Sequence, residues 1–160
     1  MPQRSAGIVA YRHRRSGIEV LLVHPGGPYW AKKDDAAWSI PKGLLDENED
    51  PLAAARREFH EEIGSAVDGA FIPLGQFRQP GGKIVTAFAV EAEVDETAIT
   101  SNLFEMEWPP GSGRRQKFSE VDRAAWFDIE TAKRKAHKGQ VPIIDALVRH
   151  LGLRSAGNDR

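Results

Sequence analysis

The sequence of 160 residues contains no cysteine. This absence excludes a disulfide framework, a zinc site built from thiolates and a cysteine nucleophile. Because cysteine-free chains suit a reducing compartment, we expect a cytoplasmic protein.

Long hydrophobic runs are absent as well. The run Val20–Val23 is typical in length, whereas a helix needs roughly 20 apolar residues to span a bilayer. Residues 1–4 lead into a mixed segment without the apolar stretch of a signal peptide. We therefore expect neither secretion nor a membrane partner, and the composition, 41% hydrophobic and 28% charged, is typical of a globular protein.

Neither sign of charge is in excess. The 22 Lys and Arg residues and 23 Asp and Glu residues give a formal net charge of −1. No basic field predicts DNA as a partner, so any phosphate must be bound locally. The charge is nevertheless uneven along the chain, because acidic residues concentrate over 47–62 and basic residues over 114–117.

The order of strand-like and helix-like segments predicts one α/β domain. Strands are expected at 6–12, 18–24, 70–78, 83–94, 103–108 and 123–127, and helices at 52–63, 128–137 and 141–151. Helix 52–63 has the strongest local signals, with Asp50 as N-cap, Pro51 at its first position and Gly64 at its end. We expect a single domain over 1–153 and a disordered tail over 154–160.

One face of helix 52–63 carries clustered acid. Its apolar residues form a stripe expected to pack on the sheet: Leu52, Ala55, Phe59 and Ile63. Glu58, Glu61 and Glu62 lie within an arc of about 100 degrees beside that stripe, with no basic residue among them. Like charges at helical neighbours destabilise a helix by roughly 0.2–0.5 kcal/mol per pair. The cluster therefore favours a divalent cation, and oxygen ligands suit Mg²⁺ or Mn²⁺.

The wider frame of this helix carries a known motif. Its fixed positions are Gly43, Glu49, Arg57, Glu58, Phe59, Glu61, Glu62 and Gly64. They match the Nudix box, G-x5-E-x7-R-E-U-x-E-E-x-G-U with U a bulky apolar residue, except at the last place, where Ser65 stands. The chain resembles the Nudix hydrolase family, and the resemblance implies a mixed β-sheet sandwiched between α-helices.

The resemblance also implies roles for residues of the box. The metal, Mg²⁺ or Mn²⁺, is expected on Glu58, Glu61, Glu62 and Gly43, with Glu58 also a candidate base or metal-bridging group. Arg57 is expected to orient these carboxylates by pairing with them. Independently of the family, Gly43 is expected to end a strand and let the backbone turn.

Members of the family often recruit a further carboxylate from outside the box as base or extra ligand. Glu120 stands just before the strand at 123–127, where such a residue is often found, and the alternative is an ordinary surface acid. Glu105 and Asp122 are weaker candidates for the same role.

The reaction that the resemblance implies is hydrolysis of a phosphoanhydride bond in a compound linked to a nucleoside diphosphate. The segment Trp38-Ser39-Ile40-Pro41-Lys42-Gly43 resembles the W-x-x-P-K-G lead-in of diadenosine tetraphosphate hydrolases and diphosphoinositol phosphohydrolases. The expected substrate is therefore a small nucleoside polyphosphate, foremost a dinucleoside polyphosphate such as diadenosine tetraphosphate. Lys42 is expected to hold a phosphate oxygen as a point charge, and the alternative is a solvated lysine in a turn.

Two other clusters are candidates for substrate binding. Arg114 and Arg115, with Lys117, follow a loop rich in Gly and Pro and could clamp distant phosphates, or they could form a solvated loop. Tyr29 and Trp30 could stack on a base, or they could simply pack a long loop. His24, His60 and His137 have no spacing typical of a ligand set and are interpreted as structural or surface residues.

Three other functions stay open at this point. They are hydrolysis of nucleoside triphosphates of the sanitising type, nucleotide sensing without turnover, and removal of diphosphate from RNA 5′ ends. The sequence is also compatible with either a monomer or a homodimer.

Overall fold

The structure, a computed structural model, describes residues 2–152. The predicted tail at 154–160 lies outside the described residues. The strands are β1 (Arg4–Arg14), β2 (Gly17–Pro25), β3 (Lys42–Leu44), β4 (Ile72–Arg78), β5 (Ile84–Glu91), β6 (Leu103–Glu107), β7 (Arg115–Ser119) and β8 (Val121–Asp128). The α-helices are α1 (Pro51–Ile63), α2 (Ile129–Lys135) and α3 (Val141–His150).

Strand β1 organises the main sheet, whose order is β4-β5-β1-β2-β8, with β3 added to β1. It runs parallel to β5 over residues 4–11 and antiparallel to both β2 and β3. Its residues 5–7 pair with β3, whereas residues 11–14 pair with β2. The sheet is therefore mixed, as predicted, and β6 and β7 form a separate two-stranded sheet.

Helices cover both faces of the main sheet. Because side chains alternate along a strand, Ile8 of β1 packs with Phe59 of α1, whereas the neighbouring Val9 packs with Ile144 and Leu147 of α3. Each fully buried aliphatic or aromatic side chain stabilises the fold by about 1.5–3 kcal/mol. The predicted layers of helix, sheet and helix are confirmed. No helix of the described range 2–152 has the length and apolar character needed to cross a membrane.

Helix α1 begins and ends where its local signals predict. The Asp50 side chain accepts a hydrogen bond from the Ala53 N–H at 3.0 Å, and Pro51 is the first helical residue. At the other end Gly64 is left-handed, with φ 93°, and its N–H donates to the His60 carbonyl. A Cβ at this position would also lie 2.6 Å from the Thr100 carbonyl oxygen, so only glycine suits the turn.

Two short strands differ from the sequence-based expectation. Strand β7 contains Arg115 and Lys117, which resemble residues of a solvated loop, yet it pairs with β6 in a register that sets Glu107 opposite Arg115 and Glu105 opposite Lys117. Arg115 also forms an ion pair with Glu105. Gly43 lies in the middle of β3 rather than at the end of a strand, and its φ is not positive. The expected turn at Gly43 is therefore wrong, and this glycine has another purpose.

Candidate active site

Gly43 makes room for Glu58. A Cβ at position 43 would overlap the carboxylate of Glu58, which α1 points at this strand. Strand β3 and helix α1 are thus held close enough for the acid and the backbone to touch. Glycine is required at position 43 because any side chain there would prevent this close approach.

Arg57 lies at the centre of the acidic group. Its Nε and Nη2 donate to the two oxygens of Glu49, both at 3.0 Å, and its Nη1 donates to Glu58 at 2.7 Å and to Glu61 at 3.1 Å. The Nη2 also donates to the Leu44 carbonyl at 3.0 Å. These hydrogen bonds hold the pKa of Glu49 at about 2 and raise the pKa of Arg57. The guanidinium fork therefore fixes the orientation of three carboxylates at once.

The remaining carboxylates repel one another. Burial raises the pKa of Glu62 to about 8, against the opposing effect of Lys42 and with support from the charges of Glu58 and Glu120. Burial likewise raises the pKa of Glu58, opposed by Arg57 and reinforced by Glu61, and it raises the pKa of Glu120 together with the charge of Glu61. Glu58 and Glu62 thus lie in a poorly solvated space beside the charges of Glu61 and of the more exposed Glu120, and the ionised forms of Glu58 and Glu62 are costly there.

This donor set fits a hard divalent cation in its chemistry. All side-chain donors are carboxylate oxygens, the ligand type that Mg²⁺ and Mn²⁺ prefer. Across residues 2–152, no three acidic or imidazole side chains already converge on a single point. The reason is visible in the geometry, because Arg57 occupies oxygens of both Glu58 and Glu61. A cation would offset the burial and the repulsion that raise the pKa of Glu62.

A cavity of about 360 Å³ opens beside the acidic group. Glu62 and Glu120 lie on one side of it, and the aromatic loop, which we define as residues 26–38, brings Tyr29 and Trp30 to the other. Tyr29 is 57% exposed and Trp30 is 37% exposed, so both rings remain accessible. The structure therefore brings together a carboxylate from the box, the predicted outside acid and the two predicted stacking residues.

Part of this cavity was missed in the sequence. Phe104 and Met106 of β6 form its wall, and Trp108 packs edge-on against Tyr29 with ring centroids 5.2 Å apart. The sequence signal was the alternation of Phe104 and Met106 with acidic residues at 105 and 107, which indicates a strand with one apolar face. That signal predicts a strand but not what the apolar face contacts.

A second cavity of about 290 Å³ shares Pro25 and Trp30 with the first. Lys42 and Lys83 both contribute to its lining, together with His137. Burial lowers the pKa of Lys42, Glu62 opposes this shift, and the charge of Lys83 adds to it. Lys42 therefore lies between the acidic group and a second cation, as a phosphate-binding residue would. Lys83 was not predicted, since a single lysine after a Gly-Gly turn has no distinguishing pattern.

The predicted basic clamp lies elsewhere. Arg115 extends from the face of the β6–β7 hairpin opposite to Phe104 and Met106, and its Nε contacts Glu105 at 3.4 Å. Neither Arg114 nor Arg115 lines either cavity. A phosphate contact by this pair stays a prediction that the geometry does not support, because strand alternation turns Arg115 away. The weaker candidate acids are also engaged elsewhere, since Glu105 contacts Arg115 and Asp122 binds His24.

Comparisons with known proteins identify the family of this chain. Residues 1–147 match the model of the NUDIX domain. An RNA pyrophosphohydrolase of Bartonella henselae is 36% identical over 152 residues, which cover 81% of this chain and 78% of that protein. An 8-oxo-(d)GTP phosphatase of Mycolicibacterium smegmatis is 32% identical over 120 residues, 67% of this chain but only 34% of that longer protein. A crystal structure of a C. elegans Ap4A hydrolase binary complex superposes with a TM-score of 0.63 at 20% identity, covering 92% of this chain and 98% of that one.

The sheet between helices, together with the match to the NUDIX domain and to pyrophosphohydrolases, identifies a hydrolase of phosphoanhydride bonds. The chain belongs to the Nudix family. It is a pyrophosphohydrolase of that family, whose members generally use divalent cations such as Mg²⁺ or Mn²⁺. The family, the fold and the class of enzyme predicted from the sequence are confirmed.

Proposed function

We propose that the protein hydrolyses dinucleoside polyphosphates, such as diadenosine tetraphosphate, in a reaction that depends on Mg²⁺ or Mn²⁺. The observation that carries this proposal is the pair of cavities on either side of Trp30. One joins aromatic rings to the acidic group, and the other contains two lysines. A base, a chain of phosphates and a second nucleoside need adjoining spaces of these two kinds.

Glu58, Glu61 and Glu62, with the main-chain carbonyl of Gly43, are the residues that would hold the cation. When bound, the cation neutralises charge on the bridging phosphates and lowers the pKa of a bound water. Arg57 orients Glu58 and Glu61 through its hydrogen bonds at 2.7 and 3.1 Å. Its contribution is positional, since it is itself fixed by Glu49.

Glu120 is the proposed general base. It shares a cavity with Glu62, and burial followed by the charge of Glu61 raises its pKa. A base is most effective when its pKa approaches the working pH, so this shift suits the removal of a proton from the attacking water. Glu58, whose pKa is raised by burial, is the second candidate for this role.

The nucleobase and the phosphates of the substrate are assigned to different cavities. Tyr29 and Trp30 present accessible aromatic faces, and stacking of a base on such a face is worth about 1–3 kcal/mol. Lys42 and Lys83 are assigned to phosphate oxygens, which a lysine binds as a point charge. The predicted role of Lys42 is retained in this proposal, and Lys83 is added to it.

The first cavity, which contains Tyr29 and Trp30 and is called the aromatic cavity below, offers few groups that could form hydrogen bonds with the edge of a nucleobase. The Gly26 N–H already donates to the Glu120 carbonyl at 2.9 Å, and the Gly27 carbonyl already accepts from the Trp30 N–H. The polar groups on side chains of the lining are the Tyr29 hydroxyl, the Trp30 indole N–H and two carboxylates. This favours a base held by stacking over selection of one damaged nucleoside triphosphate.

Removal of diphosphate from RNA 5′ ends is the second candidate. It is favoured by the name of the relative that is 36% identical to this chain, an RNA pyrophosphohydrolase. A 5′-triphosphate end and a dinucleoside polyphosphate present the same phosphoanhydride chain beside a nucleoside. The two candidate substrates differ in what is attached: a dinucleoside polyphosphate has a second nucleoside at the far end of its phosphates, whereas the RNA continues as a chain from its first ribose.

One experiment separates the candidates. The purified protein is incubated with Mg²⁺ and, separately, diadenosine tetraphosphate, a 5′-triphosphorylated oligoribonucleotide or deoxynucleoside triphosphates, and products are identified by mass. We expect fastest turnover of diadenosine tetraphosphate. Glu62→Gln should abolish it, and Arg115→Ala, on the far face of the hairpin, should leave it unchanged.

Other outcomes would reassign the function. Faster turnover of the oligoribonucleotide would favour the second candidate, and preference for a triphosphate would favour the sanitising type. Binding of nucleotide without turnover of any substrate would favour a sensor. The single domain over 1–153, the cytoplasmic location and the choice between monomer and homodimer stay predictions.

A further inference from the structure

His24 of β2 is buried in the middle of the fold and bonded at both ring nitrogens. Its side chain is 0% exposed. Nδ1 lies 2.8 Å from Asp122 Oδ1, and Nε2 lies 2.6 Å from the carbonyl oxygen of Lys33. The Lys33 carbonyl can only accept a hydrogen bond, so Nε2 donates to it, and Nδ1 lies within hydrogen-bond distance of the Asp122 carboxylate. The ring also packs against Trp38, with centroids 5.1 Å apart.

The two partners of His24 lie in the two segments that supply opposite sides of the aromatic cavity, although neither residue lines it. Lys33 lies in the aromatic loop, and its own N–H donates to the carbonyl of Trp30 at 3.0 Å. Asp122 lies at the start of β8, two residues beyond Glu120. His24 thus connects the segment that carries the stacking rings to the segment that carries the proposed base.

The base of the aromatic loop is fixed to the same turn by its backbone. The Gly26 N–H donates to the Glu120 carbonyl at 2.9 Å, and a Cβ at Gly26 would overlap the Ser119 carbonyl. This contact fixes the loop at its beginning, whereas His24 fixes it seven residues further on, beyond Tyr29 and Trp30. The segment that carries Tyr29 and Trp30 is therefore held at both ends, which restricts the movement of these rings away from Glu120.

We infer that His24 is a positioning residue, which sets the separation between the aromatic rings at 29 and 30 and the carboxylate of Glu120 through its bonds to Lys33 and Asp122. The inference rests on the proposed nucleotide site. His24 does not line the cavity, so it acts through the residues that it holds. Its effect is to order the aromatic loop before a nucleotide binds, so that binding does not have to order it.

The test compares His24→Phe with the wild type. The phenyl ring keeps the aromatic bulk beside Trp38 but donates no hydrogen bond to either partner. We expect the Kd of ADP, titrated by calorimetry in the presence of Mg²⁺, to rise about tenfold. With diadenosine tetraphosphate we expect a similar rise in KM and a kcat that changes less than about threefold, since ground-state and transition-state binding are lost equally.

A double-mutant cycle distinguishes positioning from general damage. In a Trp30→Ala background the stacking ring is already absent, so His24→Phe should weaken ADP binding by less than about twofold more. Equal weakening in both backgrounds would mean that His24 acts on the fold as a whole, and would overturn the inference. An unchanged Kd in His24→Phe, or no binding of ADP by the wild type, would overturn it as well.

Asp122 provides a second variant in case His24→Phe does not fold. Asp122→Ala removes one partner at a position whose side chain is 37% exposed, and we expect the Kd of ADP to rise about threefold, whereas Asp122→Asn keeps an acceptor and should stay within about twofold of wild type. A wild-type Kd in Asp122→Ala would contradict the inference. If no substrate is turned over but ADP binding depends on His24 as described, the proposed function fails and the inference stands.

Discussion

At the scale of single residues, the position of Glu58 depends on the absence of a side chain at position 43. The carboxylate occupies the space that a Cβ at Gly43 would fill. Glu58 is also held by Arg57 at 2.7 Å, so it cannot withdraw without breaking that bond. A methyl group at position 43 would therefore displace the acid or the guanidinium.

We predict that Gly43→Ala lowers kcat/KM about 100-fold, the usual effect of roughly 1 Å of misplacement at a reacting site. Helix α1 should persist, because its cap at Asp50 and its apolar face, with Phe59 and Ile63 packed on the sheet, do not depend on Gly43, and circular dichroism checks this. The matched control is a Glu58→Ala background, where the methyl group meets no carboxylate. Because Glu58 is itself a proposed metal ligand, the comparison in that background uses Tm, which Gly43→Ala should lower less than it does in the wild type. Full activity of Gly43→Ala would contradict the prediction.

The residues that could be recognised from the sequence are those whose signal is local. Glu58, Glu61 and Glu62 stand close together on one turn of helix, so their clustering is visible without a structure. His24 could not be recognised, because Asp122 is 98 residues away and its other partner is a main-chain carbonyl. A backbone acceptor leaves no trace in the sequence, and a lone histidine in a strand has many uses.

At the scale of elements, helix α1 was predictable and strand β7 was not. The ends of α1 are set by Asp50, Pro51 and Gly64, which act within one turn of where they stand. Strand β7 exists through pairing with β6, and its alternate residues Arg115 and Lys117 face acids across the hairpin. Such charge pairs become evident only once the partner strand and its register are known.

The cap of α1 gives the first prediction at this scale. Asp50→Ala removes an acceptor for the Ala53 N–H, and loss of such a cap costs about 1 kcal/mol in the free energy of unfolding. For a domain of this size that lowers Tm by roughly 2–4 °C. Asp68→Ala is the control, since it breaks only the exposed pair with Arg56, worth about 0–1 kcal/mol. Equal losses from both variants in a thermal melt would contradict a capping role.

The β6–β7 hairpin gives the second prediction, because one of its faces lines the aromatic cavity and the other does not. Phe104 forms the wall of the aromatic cavity, whereas the adjacent Glu105 points to the opposite face and contacts Arg115. We expect Phe104→Ala to raise KM about tenfold with a smaller change in kcat, as for a loss of ground-state binding. Steady-state kinetics on the preferred substrate measure both constants. Glu105→Ala should leave both within about twofold of wild type, and an equal effect of the two variants would disprove the assignment of faces.

At the scale of the whole molecule, the net charge of −1 conceals a separation of acidic and basic side chains between the two cavities. Acid is concentrated beside the first cavity, and Lys42 and Lys83 line the second. A polyphosphate meets repulsion at the acidic group unless a cation is present, so the metal and the substrate are electrostatically linked. The total charge could not reveal this, because burial and clustering, rather than number, determine the local field.

The last prediction concerns stability, pH and metal together. The pKa of Glu62 in the folded protein, about 8, lies above the ordinary carboxyl value of 4.5. Between these values the folded protein keeps a proton that the unfolded chain has released. The free energy of unfolding of the metal-free protein should therefore fall by up to a few kcal/mol as pH rises from about 5 to 8. A difference of one bound proton between the folded and unfolded states changes this free energy by about 1.36 kcal/mol per pH unit.

Thermal melts with chelator and with Mg²⁺ test this linkage. The metal-free wild type should lose Tm from pH 5 to pH 8, whereas Glu62→Gln, which cannot ionise, should show a flatter profile. At pH 8, Mg²⁺ at 100 times its Kd should restore about 2.7 kcal/mol. At pH 5 it should restore much less, because the proton on Glu62 competes with the cation. Parallel pH profiles for the wild type and Glu62→Gln would show that the burial of Glu62 is not what couples the acidic group to the stability of the fold.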